Sequence, residues 1–121
     1  MFSKRLKSFL YALQGIVYLL KTQPNARIHL FFTISVIALG IFFQVRSSEW
    51  MLMIWCIGGV WATEAVNTAL EELVNWISPD YHDKAKHVKD VAAAAVFIVA
   101  IASAMVGLII FVPYIVRFLW D

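Results

Sequence analysis

Residues Trp50–Asn75, WMLMIWCIGGVWATEAVNTALEELVN, decide how the chain is read. The first half of this stretch, to Trp61, is apolar and carries a Gly58-Gly59 pair that permits close helix contact. The second half keeps an apolar background but adds Glu64, Asn67, Thr68, Glu71, Glu72 and Asn75. On a helix at about 100° per residue, Glu64, Asn67, Thr68, Glu71 and Asn75 share an arc of about 100°. They form one polar stripe roughly 16 Å long at about 1.5 Å per residue. An ionisable group inside a membrane helix costs a few kcal/mol to insert, so it marks function by default. Glu64 lies deepest in the apolar surroundings and is the candidate reactive group; Glu72, off the centre of the stripe, reads as solvated.

Outward from this stretch, the composition points to lipid. The chain has 121 residues, 62% of them hydrophobic and 15% charged, with a mean hydropathy of +0.78. Soluble domains are about 45–50% apolar and about 25% charged, and a chain this short cannot bury such an excess on its own. Three segments are expected to span a membrane: about 28–45, 50–73 and 91–120, each near or above the roughly 20 residues that a hydrocarbon core of about 30 Å requires. Trp50, Trp76, Tyr114 and Trp120 sit near their ends, as interfacial aromatic anchors do. Lys4, Arg5, Lys7, Lys21 and Arg27 precede the first span, and Lys84, Lys86 and Lys89 separate the second from the third. The positive-inside rule places the N-terminus and the 75–90 loop in the cytoplasm, with the C-terminus outside.

The first 22 residues follow a different pattern. Lys4, Lys7, Tyr11, Gln14, Tyr18 and Lys21 recur on one side, and Leu6, Phe9, Leu10, Leu13, Ile16, Val17 and Leu20 fill the other. This is an amphipathic helix lying in the membrane interface. A signal peptide fits less well, because Gln14 interrupts the apolar run and no small-residue cleavage site follows before Pro24. Gln23-Pro24 breaks this helix, and Pro24 is placed to start the next. The whole chain, 1–121, reads as one all-α membrane domain without internal repeats.

Several functions are excluded or disfavoured. A net charge of +2, with no Lys/Arg stripe, gives nucleic acid nothing to hold. Cys56 is alone and reads as a small buried hydrophobe. His82 and His87 are spaced poorly for one zinc ion, and no phosphate-binding glycine loop occurs. A small multidrug-type transporter would want four spans and a glutamate at mid-membrane, whereas these acids crowd one end. Ala92–Ala95, Ala100, Ala102, Ser103, Ala104 and Gly107 give the third span a small-residue face. Three helices make few walls around an inward polar stripe, which predicts an oligomer.

The run Glu64-Ala-Val-Asn67-Thr-Ala-Leu-Glu71, then Asp80-Tyr81-His82, then Lys89-Asp90 before four alanines, resembles the signature of the prokaryotic diacylglycerol kinases. The likeness extends over nearly the whole chain, including Asn25-Ala26-Arg27-Ile28-His29 ahead of the first span. It implies a homotrimer of three-span subunits that moves the γ-phosphate of ATP to a lipid hydroxyl with Mg²⁺. Glu64 then matches the catalytic base, Asn67 a polar active-site residue and Glu71 a metal-binding glutamate. Lys89, Asp90, Asp80, Tyr81, His82, Tyr11 and one of Lys4 or Arg5 match nucleotide-contacting positions. Diacylglycerol, converted to phosphatidic acid, is the expected acceptor, with undecaprenol as the alternative. This chain departs from the family pattern at Gln23, where a metal-binding glutamate is usual, and at Gln14, Asn75 and Lys86-His87. An amide oxygen is a weaker Mg²⁺ ligand than a carboxylate. The departure at Gln23 keeps open a third reading, a catalytically silent lipid-binding relative.

Overall fold

The computed structural model describes residues 1–121 and is all-helical. Helix α1 runs over Phe2–Thr22, α2 over Pro24–Phe42, α3 over Ser47–Ile77 and α4 over Asp83–Trp120. The break between α1 and α2 is a single residue, Gln23, held extended at φ −111° and ψ 112°. Pro24 then opens α2 at a position where its missing N–H costs nothing. Arg27 closes the corner: its Nε donates to the carbonyl of Leu20 at 3.0 Å and its Nη2 to that of Lys21 at 2.7 Å. These are carbonyls that the end of α1 leaves without helical partners. Ala26, fully buried, lets the two helices meet.

The α2–α3 link is almost as short. Val45 N–H returns to the Gly40 carbonyl at 3.1 Å and Gln44 N–H to that of Ile41 at 3.2 Å, the paired bonds of a Schellman motif. Its left-handed residue, usually glycine, is here Gln44 at φ 50°. Between α3 and α4 only residues 78–82 are non-helical. The 75–90 segment, expected as a loop, is therefore mostly helix: α3 runs to Ile77 and α4 begins at Asp83, capped by His82 Nδ1, which accepts from Lys84 N–H at 3.1 Å.

Helix α4 lies along α3, and α2 touches α3 more sparingly. Where α2, α3 and α4 meet near the 43–46 link, Val45, Met53, Ile110 and Phe111 form a small core, with Phe43, Trp50 and Tyr114 against it. Gly40 is required there: a Cβ on it would stand 2.7 Å from the Trp50 ring. Of the Gly58-Gly59 pair, only Gly59 is used, with Val99 3.2 Å from where its Cβ would be; Gly58 faces open space.

Only 12 of 121 residues are buried, so most of the apolar side chains face outward. Water does not tolerate so much apolar surface on one small chain. Helices α2 and α4 are long and apolar enough to cross a membrane. Helix α3 falls short of that mark, because tryptophans dilute its N-terminal half and the polar stripe its C-terminal half. At about 1.5 Å per residue, α3 and α4 are roughly 46 and 57 Å long, both longer than the thickness of a hydrocarbon core of about 30 Å.

Candidate active site

Burial along the stripe is graded. Glu64, Asn67 and Thr68 are 2%, 8% and 3% exposed, Glu71 is half-buried and Asn75 exposed. The stripe thus runs from inside the bundle to its surface at the 78–82 link. Glu64 has one polar neighbour, His29 on α2, with Nε2 3.5 Å from Oε2. Asn67 Nδ2 lies 3.5 Å from Glu71 Oε1. The Asn67 Oδ1 and Thr68 Oγ1 atoms are buried without hydrogen-bond partners. Native proteins leave few polar atoms in that condition, and those few ask for an explanation such as a ligand.

The space beside these groups is a cleft of about 270 Å³ between α2 and α4, with α3 as its back wall. Asn25, His29, Glu64 and Asn67 supply its polar side, and Val96 and Phe97 of α4 stand among its apolar lining. Asn67 also reaches a second, larger and mostly apolar groove of about 640 Å³, between α3 and the first turns of α4. A polar group with an apolar partner can therefore approach the stripe.

The surface end of the stripe is where charges gather. Lys89 donates to Asn75 Oδ1, which brings this lysine against the end of α3. Lys86 Nζ binds Asp90 Oδ2 at 2.6 Å, and this bond raises the Lys86 pKa above its ordinary value. Tyr81 donates to Asp83 Oδ1 at 2.9 Å, and Asp80 accepts from Ser78 through its carbonyl at 3.2 Å. Asp80, Tyr81 and His82 thus shape the link and cap α4 within this chain. On α1, Tyr18 donates to Glu72, so Glu72 anchors the surface helix to α3. Lys4, Arg5 and Tyr11 are exposed on α1, and their side chains make no hydrogen bond to α3 or α4.

The donors expected to hold Mg²⁺ are oxygens of the right chemistry. Glu71 offers a half-buried carboxylate, and Gln23 at the α1–α2 corner an amide whose Nε2 is turned to Thr22 at 3.4 Å. One carboxylate suits a Mg²⁺ ion that takes its remaining ligands from phosphates and water. The sequence reading gave no role to His29 or Tyr18. The available signal for His29 was its position as the only titratable side chain between Ile28 and Val45.

With this geometry in hand, comparison with known proteins assigns the class. The family model for prokaryotic diacylglycerol kinase matches residues 10–111. An undecaprenol kinase from Bacillus subtilis is 37% identical over 107 residues, covering 88% of this chain and 87% of its own. A diacylglycerol kinase from Synechocystis is 37% identical over 109 residues, or 89% of this chain and 62% of that one. A diacylglycerol kinase from Haemophilus influenzae is 32% identical over 99 residues, 82% of this chain and 81% of its own. The chain belongs to the prokaryotic diacylglycerol kinase family, whose members are membrane lipid kinases that use ATP.

Proposed function

We propose that this protein transfers the γ-phosphoryl group of ATP to the hydroxyl of a membrane lipid at the cytoplasmic face of a bacterial inner membrane. Glu64 carries the reading: a carboxyl group 2% exposed, the deepest acid of the polar stripe, lining a cleft whose α4 wall is apolar. A lipid alcohol reaches that cleft from the bilayer with its tail against α4. Glu64 accepts the hydroxyl proton as the oxygen attacks the γ-phosphorus; the O–P bond to the lipid forms and the bond to ADP breaks. Asn67, whose buried Oδ1 has no hydrogen-bond partner, lines the same cleft and is assigned as a polar contact of the acceptor. Phosphoryl transfer rests on positioning and charge neutralisation rather than covalent catalysis. Lys89 supplies one positive charge where the stripe emerges, and Asp90, Asp80, Tyr81 and His82 frame the nucleotide side. Lys4, Arg5 and Tyr11 of α1 are assigned to the nucleotide by family likeness, and fit a site completed by another subunit. Glu71, with the amide oxygen of Gln23, would hold Mg²⁺, which supplies neutralisation of the phosphates when bound.

In this reading α3 spans the membrane together with α2 and α4. Its polar stripe is tolerated because it faces the bundle interior rather than lipid. The apolar surface left on one chain supports assembly as a homotrimer. Two acceptors each have support from a relative: diacylglycerol, and undecaprenol, the printed substrate of a relative that this chain matches over 87% of its length.

The test is transfer of label from ATP by the purified protein in lipid mixed micelles with Mg²⁺, offering diacylglycerol and undecaprenol separately. Gln23→Glu is assayed beside the native chain. Labelled lipid from the native protein is expected and names the acceptor. Silence from the native chain with activity in Gln23→Glu would mean a kinase switched off at its metal. Silence from both would leave a lipid-binding role.

A further inference from the structure

The buried carboxylate of Glu64 is approached from one side by a titratable group, and that group is not on its own helix. His29, the one charged or titratable side chain paired with Glu64, has its Nε2 3.5 Å from Oε2, and Glu64 lines the cleft. His29 is itself fixed. Its ring meets Trp61 edge-on, at 6.4 Å between centroids and 66° between planes. The Trp61 indole N–H donates to Thr33 Oγ1 at 3.0 Å, and the Thr33 hydroxyl donates to the carbonyl of His29 at 2.7 Å. One turn of α2 is therefore pinned to the turn of α3 that carries Glu64. From α4 the pair is faced by Ala93, Val96, Phe97 and Ala100, none of them charged.

We propose that His29 is the positioning residue for Glu64. It donates from Nε2 to Oε2, which fixes the carboxyl rotamer and leaves Oε1 as the atom that takes the lipid hydroxyl proton. The separation of 3.5 Å is about half an ångström longer than a formed N–H···O bond. Hydrogen bonds of catalytic groups are often long without substrate and tighten in the complex. A carboxylate in low dielectric with no donor is costly, so the one available donor has a large influence on where it sits. The inference rests on Glu64 being the base.

The experiment compares His29→Leu, His29→Asn and His29→Gln with Glu64→Gln and the native chain, each in micelles. It measures kcat, KM for MgATP and KM for the lipid, with MgATP binding as the control for an intact fold. A glutamine side chain can place an amide N–H about where Nε2 sits; asparagine reaches only to the level of Nδ1. Losing the group that aligns a catalytic side chain costs about 10²-fold. His29→Leu and His29→Asn are therefore expected to lower kcat by about that factor with both KM values within about twofold, and His29→Gln to recover most of the loss. A generally structural role for His29 would not distinguish glutamine from asparagine. If His29→Leu fails to fold, the glutamine and asparagine pair alone decides. Near-native kcat in His29→Asn overturns the proposal, as does a raised KM for lipid with kcat intact, which would make His29 a contact of the acceptor. Turnover surviving in Glu64→Gln overturns the base assignment instead.

Discussion

Helix α3 buries two glutamates, and they are handled in opposite ways. Glu49, at the N-terminal end, is 8% exposed and engaged by three donors. Its Oε1 accepts from the Arg46 backbone N–H at 3.0 Å, from Arg46 Nε at 3.3 Å and from the Tyr114 hydroxyl of α4. Glu64, in the C-terminal half, is 2% exposed and has a single ion-pair neighbour, at 3.5 Å. A buried carboxylate with several donors is a structural clamp. One with a single long contact, beside an unpaired amide oxygen and a cleft, is what the proposed base would require. In the proposed mechanism, the two ends of one helix thus separate stability from chemistry.

The sharpest break in the comparison is expected from neutral isosteres at both sites. Glu64→Gln should cut turnover by about 10²–10⁴-fold, the range supplied by a general base, while leaving the unfolding temperature unchanged or higher. Glu49→Gln should do the reverse, lowering the unfolding temperature with kcat and both KM values intact. Thermal unfolding followed by circular dichroism, beside the transfer assay, checks both. Turnover lost in Glu49→Gln would erase the distinction.

The clamp also has a neighbour that tests how tightly the N-terminal end is packed. A Cβ at residue 40 would stand 2.7 and 2.9 Å from two atoms of the Trp50 ring and 3.0 Å from Met53 Cε. Gly40→Ala forces the indole to move, and overpacking of this kind costs about 1–3 kcal/mol. The same change at Gly58 meets nothing within 4 Å. It should be neutral or slightly stabilising, since alanine is the better helix former. Equal effects at the two glycines would mean that the Gly40–Trp50 contact does not form in the membrane.

Acid separates the two ends again. The hydroxyl of Tyr114, followed by the Arg46 backbone N–H, lowers the Glu49 pKa below its ordinary value. A carboxyl group whose folded pKa is depressed contributes stability above its unfolded pKa, and loses it as pH falls through the folded value. Unfolding temperature should therefore fall with acidification below the usual carboxylate range. In Glu49→Gln the acid limb should be shallower, because that contribution is already absent. An unchanged limb would show that other carboxylates dominate it.

What the sequence disclosed, and what it withheld, follows the same division between one helix and two. The stripe Glu64, Asn67, Thr68, Glu71, Asn75 needed only the helical period, and the burial gradient along it agrees with that reading. The α1–α2 break at Gln23-Pro24 and the helix over Phe2–Thr22 needed only local rules. Contacts between helices were not legible. His29 lies 35 residues before Glu64, and Tyr114 lies 65 after Glu49; a one-dimensional pattern gives the face of each helix but not what stands opposite. For the same reason Gly58 and Gly59 looked alike, although only one has a neighbour, and Gly40 drew no attention. The 75–90 loop was overestimated because its charges resemble a loop, whereas Lys86 and Asp90 pair at i,i+4 and Lys89 reaches back to Asn75 along helical backbone.

The smallest expected effect concerns the link that brings the clamp into place. Gln44 sits at φ 50° in a Schellman motif where glycine is usual. A residue with a Cβ spends about 1–2 kcal/mol in the left-handed region, and glycine returns part of that gain through its freer unfolded chain. Gln44→Gly should therefore stabilise the protein by about 1 kcal/mol or less, with turnover unaffected because the link lies at the opposite end of α3 from the stripe. A destabilised Gln44→Gly would mean that the link adopts another turn in the membrane. Val45 would then lose its place in the small core, and Glu49 would keep its i,i+3 bonds to Arg46 while its contact with Tyr114 of α4 would have to form without that core beside it.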